Sequence, residues 1–226
     1  MTTEADLNYA FEKAANDLAG FTATADFAPF RDLKVTWERT IDKAGFHVSD
    51  YLKDAPEDIL EDLARTIIKR INGEEDMQYP KSLIDYLTSA EIREKNVDTY
   101  VSRSRTISES KGMYKNLWES LERLVEKGLV QMPEGLRLYW SIRPTRETSG
   151  QTSKIMRVII MNSMLDSEDV PDFVLDYCLL HQLGFIVSSV ECEDWMRAME
   201  FVDRFDEKFD MKEEAETWLE DHGIRL

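Results

Sequence analysis

Cysteine is scarce in this chain, and long hydrophobic runs are missing. Its two cysteines, Cys178 and Cys192, are too few for a disulfide framework or a zinc ribbon. We therefore expect two reduced thiols, in or near packed helices, in a cytoplasmic protein. No apolar stretch reaches the roughly 18 residues that a membrane span needs, and no basic segment followed by an apolar run opens the chain. No membrane partner is expected.

Positive charge is also in short supply. The 226 residues include 45 acidic and 28 basic side chains, which give a formal net charge of -17. Because such a surface repels polyphosphate, we expect no nucleic-acid partner. The charge leaves open an acidic interaction module that binds a basic partner.

Several catalytic signatures are missing as well. The chain has no G-x-S-x-G nucleophile turn, no Walker loop and no run of Rossmann glycines. Its aromatic residues follow helix or strand periodicity, which favours core positions over a stacking platform for bases. His47 follows a glycine in a turn, and His222 lies at a helix end, where the helix dipole favours a cation. The region around His181 remains as the main candidate site.

The hydrophobic pattern predicts an α+β fold. Residues 6–18 and 59–71 have apolar side chains at helical spacing, whereas residues 33–41 alternate as a strand does. The second of these helices should start with Asp54 as its cap and Pro56 in its first turn. Another amphipathic helix is expected at 114–127. Region 1–130 should therefore be mainly helical, with one strand near 33–41.

The second predicted region, 131–226, contains the best candidate for a β-hairpin. Residues 136–142 alternate between apolar and polar side chains, residues 154–161 are rich in β-branched residues, and a polar loop separates them. A helix should follow at 170–185, and two further helices should close the chain. We expect a small antiparallel or mixed sheet covered by helices.

The helix at 170–185 has the outline of a zinc-protease helix without its chemistry. In the H-E-x-x-H signature, two histidines one turn apart bind one Zn²⁺, and the glutamate beside the first polarises the bound water. Here His181 occupies the first position, Gln182 replaces the glutamate and Phe185 replaces the second histidine. A carboxamide takes up no proton near neutral pH, and a phenyl ring binds no metal. No catalytic residue is therefore expected at these positions.

The motifs on either side of this helix occur in a recognisable order. They are Ser49-Asp50-Tyr51, Asp54-Ala55-Pro56, Trp140, Arg143, Arg146, Asn162, Val170-Pro171, Leu175-Asp176-Tyr177, His181, Trp195 and Trp218-Leu219-Glu220. This order resembles the SprT-like and YgjP-like zincin metalloprotease group. The similarity extends over residues 30–222 and is most specific over 133–222.

The resemblance implies a zincin-like core, in which a small sheet lies beside a former active-site helix. It assigns His181 to the first zinc ligand and Gln182 to the general base. Phe185 falls at the second ligand and Glu191 at the third. Glutamate binds Zn²⁺, but one histidine and one glutamate fall short of the three protein ligands of a catalytic zinc. We therefore expect no cofactor, and a catalytically inactive metallopeptidase-like protein with a binding or scaffold role for a protein or peptide partner.

An alternative metal site stays open beside this expectation. Cys178 lies three residues before His181 on the same helix face, so these two and Glu191, with a water molecule, define a non-standard zinc site of a hydrolase. Without metal, we expect a buried stripe of the helix made of Tyr177, His181, Gly184 and Phe185. His181 would then be hydrogen-bonded in the core, and Gly184 would pack closely against a neighbour.

Overall fold

Two compact units make up this protein, in a computed structural model that describes residues 3–74, 77–107, 109–188 and 195–226. The units are Met1–Asn96 and Val97–Leu226. The described residues form a mixed α+β fold, which confirms the fold class predicted from the sequence. No helix within these ranges is long and apolar enough to cross a membrane.

The first unit combines a three-stranded sheet with helices. Its elements are α1 (Glu4–Leu18), β1 (Thr22–Ala28), β2 (Val35–Arg39), β3 (Lys43–Ser49), α2 (Glu57–Ile71), α3 (Lys81–Leu87) and the first part of α4 (Ala90–Arg103). Strand β3 is central, parallel to β1 and antiparallel to β2. A capping box starts α1, because the Thr3 hydroxyl accepts a hydrogen bond from Asp6 N and the Asp6 carboxylate accepts one from Thr3 N.

Helix α1 agrees with the helix predicted at 6–18, and β2 lies within the strand predicted at 33–41. Helix α2 ends where predicted, but its N-cap residue is Pro56 and not Asp54, whose carboxylate is bonded to Lys95 instead. Strands β1 and β3 are two strands that the sequence pattern did not reveal. Their inward side chains include several alanines, and β3 contains a glycine, so the alternation of hydrophobicity is weak. A contact between the rings of Phe11 and Phe46, whose centroids are 4.6 Å apart, joins α1 to this sheet.

The second unit contains a four-stranded sheet and a nearly buried central helix. After the end of α4, its elements are β4 (Thr106–Ile107), α5 (Leu117–Glu126), β5 (Arg137–Ser141), β6 (Gly150–Ser153), β7 (Val158–Met161), α6 (Asp172–Val187), α7 (Trp195–Asp206) and α8 (Lys212–His222). The strand order is β4-β5-β7-β6. Helix α6 packs against α5, α7 and α8 and against strands β6 and β7.

The prediction that residues 136–142 and 154–161 form a β-hairpin is wrong. Strand β5 pairs with β7 in parallel, and the hairpin partner of β7 is β6, which begins inside the segment predicted as a loop. All four residues of β7 are buried, as expected for a central strand with neighbours on both edges. Alternating hydrophobicity shows that a segment is a strand, but it contains no information about the direction of the neighbour.

The structure also places the boundary between the units earlier than the predicted 130/131. Helix α5 belongs to the second unit, because its apolar side chains enter the same hydrophobic core as α6. These side chains are Leu117, Leu121 and Leu124, and all three are fully buried. The sequence of an amphipathic helix shows that one side faces a hydrophobic core. It does not show which of the two units provides that core.

Candidate functional site

Helix α6 carries most of the candidate residues, and it lies inside the second unit. Pro171 is its N-cap residue, and Asp172 in the first turn complements the helix dipole. The helix is apolar on all sides, which is typical of a helix covered by neighbours all round. Its polar residues therefore sit where each one needs a partner from the protein.

His181 is buried and hydrogen-bonded to a carboxylate from α7. Its Nδ1 lies 2.6 Å from Oδ2 of Asp206, and both side chains are less than a tenth exposed. Burial raises the pKa of Asp206, and the contact with His181 opposes that shift. The second carboxylate oxygen, Oδ1, has no hydrogen-bond partner in the described part of the chain. The expected hydrogen-bonded core histidine is present, and its partner is a residue that the sequence did not single out.

Gln182 is bound to the edge of the sheet. The hydroxyl of Thr152 on β6 donates a hydrogen bond of 2.8 Å to Oε1 of Gln182. A Cβ at Gly150 would lie 3.0 Å from Cγ of Gln182, so a glycine lets β6 approach this side chain closely. The position that the resemblance assigns to the general base therefore holds a neutral amide with a structural partner.

Phe185 lies against His181 on the same helix. The ring centroids are 5.4 Å apart at an angle of 84°, an edge-to-face contact. Gly184, beside it, faces α7. A Cβ there would lie 3.2 Å from a methyl group of Val202 and 3.3 Å from the ring of Phe205. The close packing predicted for Gly184 is confirmed, and α7 covers this side of α6.

Cys178 is fully buried near the same group of residues. Burial raises the pKa of its thiol to about 12, against the effect of the neighbouring Ser149 hydroxyl. A thiol with so high a pKa contains almost no thiolate near neutral pH, and the thiolate is the form that attacks carbonyls and binds metals. The arrangement therefore suits a packed core cysteine better than a nucleophile.

A zinc centre needs at least three protein ligands, and the described residues do not provide them. No three His, Cys, Asp or Glu side chains within the described ranges are grouped so that they could hold a metal ion. Glu191, the third ligand implied by the resemblance, and Cys192 lie outside the described residues. Within the described ranges, His181 and Asp206 are two candidate donor side chains that lie together.

Other residues of the family-like motifs have structural partners. On α6, the Asp176 carboxylate accepts hydrogen bonds from Arg123 and from Ser120, and the Tyr177 hydroxyl donates one to Glu216. Asn162, at the end of β7, donates to the carbonyl oxygen of Thr148 at 2.9 Å and so holds the loop before β6. These contacts give such residues a structural role.

The chain matches no protein-family model, no curated protein and no solved structure.

Proposed function

We propose that this protein is a catalytically inactive relative of the zincin metallopeptidases, with a zincin-like core in its second unit and a binding or scaffold role. The observation that carries the proposal is the hydrogen bond between Thr152 and Gln182, which fixes a neutral amide at the position of the general base. The phenyl ring of Phe185, one turn after His181, adds no ligand atom.

One observation is compatible with the alternative of a zinc-dependent hydrolase with unusual ligands. A histidine that binds zinc commonly donates its other ring N–H to a carboxylate, which fixes the tautomer and orients the ring. His181 has such a partner in Asp206, at 2.6 Å. The same contact is equally suited to a buried histidine without metal, because a buried N–H needs an acceptor.

Metal analysis of protein purified without chelator distinguishes the catalytically inactive protein from the zinc-dependent hydrolase. We expect much less than one zinc per chain, and no difference between the natural protein and His181→Ala. Stoichiometric zinc that is lost in His181→Ala, together with peptide-bond cleavage, would show that the protein is a zinc-dependent hydrolase. The matched control is His222→Ala, which changes an exposed histidine in the same unit.

The proposed binding site is the outer edge of β6, where an extended peptide can add a strand. Among the described strands, β6 pairs only with β7. Ser149 O accepts a hydrogen bond from Asn162 N, just before the β6–β7 ladder. Because hydrogen-bonded pairs alternate along an antiparallel ladder, the backbone groups of Gly150 and Thr152 point away from β7. The Thr148 hydroxyl already binds both backbone groups of Gly150, so the proposed peptide contact is at Thr152.

A matched pair of substitutions at Thr152 tests this mode with peptides selected by display against the full chain. Thr152→Pro removes the outward N–H, whereas Thr152→Val keeps it and loses only the hydroxyl. We expect Thr152→Pro to weaken peptide binding by at least about tenfold and Thr152→Val by about twofold or less. Equal weakening by both variants, or no selected peptide, would exclude binding at this edge. A steep loss of affinity with added salt would favour the acidic module instead.

A further inference from the structure

The second unit also contains a cleft that lies apart from the candidate site, because neither His181 nor its neighbours on α6 line it. It lies where the C-terminal end of α8 meets the loop that contains Arg146 and the segment that precedes α6. Its volume is about 590 Å³, within the range of about 300–1,000 Å³ that is usual for small-molecule sites. The cleft is therefore large enough for a ligand of the size of one or two amino acids.

Charges of both signs line this cleft without neutralising each other. The guanidinium of Arg146 lies beside Gly223, with Nη1 3.9 Å from the position that a Cβ would take there. It has no ion-pair partner among the described residues, although the acidic residues Asp169, Glu220 and Asp221 line the same cleft. These three carboxylates have no ion-pair partner in the described ranges either. The cleft thus contains a separated cation and anions, which a dipolar ligand would complement.

Apolar residues also contribute to the wall. Met164, Val170 and Trp218 line the cleft. Trp218 stacks on His222 with ring centroids 3.7 Å apart and an angle of 12° between the planes. A hydrogen bond of 2.7 Å from Nδ1 of His222 to the carbonyl oxygen of Trp218 fixes this pair. These two contacts place a stacked aromatic pair in the lining of the cleft.

We propose that this cleft binds a small zwitterion with an apolar side chain, either a free α-amino acid or a short peptide. Arg146 would hold the carboxylate, since a guanidinium forms two parallel hydrogen bonds with it. Asp169 and Glu220 would hold the ammonium group, and the wall of Trp218 would receive the apolar side chain. This inference rests on the cleft alone and is independent of the proposed function.

Titration calorimetry of the full chain tests the ligand class with four probes. L-leucine and leucyl-leucine have both charges, leucinamide lacks the carboxylate, and N-acetylleucine lacks the ammonium group. We expect saturable binding of at least one zwitterion below about 10 mM, and affinity lower by roughly tenfold or more for each probe that lacks a charge. Tighter binding of leucine identifies a free amino acid, and tighter binding of leucyl-leucine identifies a peptide.

Substitutions at exposed positions locate the site without endangering the fold. Arg146→Gln and Asp169→Asn should each weaken binding of the preferred zwitterion by roughly tenfold. Arg143→Gln and Glu168→Gln are the matched controls, because both residues are exposed neighbours that do not line the cleft. Three outcomes would each overturn the proposal: neither zwitterion shows saturable binding, leucinamide or N-acetylleucine binds as tightly as the preferred zwitterion, or the site and control variants have equal effects.

Discussion

Nδ1 of His181 lies 2.6 Å from Oδ2 of Asp206, and this contact joins the centre of α6 to the end of α7 inside the core of the second unit. Two ionisable side chains that are buried together depend on each other, because removal of one leaves the other without its partner. The pair therefore stabilises a particular arrangement of the two helices.

Removal of the Asp206 carboxylate should destabilise the second unit. We expect Asp206→Ala to lower the free energy of unfolding by about 2–4 kcal/mol, because it leaves a buried His181 N–H without an acceptor. Asp206→Asn should cost less, since an amide oxygen can still accept that hydrogen bond. Urea denaturation followed by circular dichroism measures both. Asp203→Asn, on the exposed side of the same helix, is the control and should change stability by about 0.5 kcal/mol or less.

The close approach of α6 and α7 leads to a second prediction, at Gly184. Alanine favours a helix by about 1 kcal/mol over glycine, yet we expect Gly184→Ala to destabilise the protein by about 1–2 kcal/mol. The reason is the new methyl group, which would lie 3.2 Å from Val202 and 3.3 Å from Phe205. Val202→Ala makes room for it, so the double variant should be more stable than the sum of the single changes predicts. Additive effects would contradict the contact.

Local signals in the sequence were sufficient for several elements of the fold. The C-terminal end of α2 was predicted where it is observed, because the apolar spacing and the charged ends of this helix lie within the segment itself. Its start lies later than predicted, since Pro56 and not Asp54 is the N-cap residue. The parallel pairing of β5 with β7 was not predictable in this way. Strand β6 lies between these two strands in the sequence, so their pairing is not encoded within either segment. Asp206 was missed for the same reason. It is one of 45 acidic residues, and only folding brings it to His181.

Burial of the Cys178 thiol leads to a prediction about alkaline pH. Its pKa is raised from the model-compound value of 9.0 to about 12, so the folded state favours the neutral thiol. The resulting stabilisation is fully present below pH 9 and is lost as the pH rises from about 9 to about 12. The free energy of unfolding should therefore fall more steeply in this window for the natural protein than for Cys178→Ala. If the free energy of unfolding falls equally steeply for both proteins, the thiol has the same pKa in the folded and unfolded states.

The ion pair between Arg123 and Asp176 should contribute far more to stability than exposed pairs of similar length. Nε and Nη2 of Arg123 donate to both carboxylate oxygens, at 2.9 and 2.6 Å, and the Asp176 side chain is only 2% exposed. We expect Arg123→Lys to cost about 1–3 kcal/mol, because an ammonium group cannot make both bonds, and Asp176→Ala to cost about 3–5 kcal/mol. Glu207→Gln, which breaks a 2.7 Å pair with Lys212 at the surface, should cost about 1 kcal/mol or less. Similar losses at the two sites would show that the burial of Asp176 adds nothing.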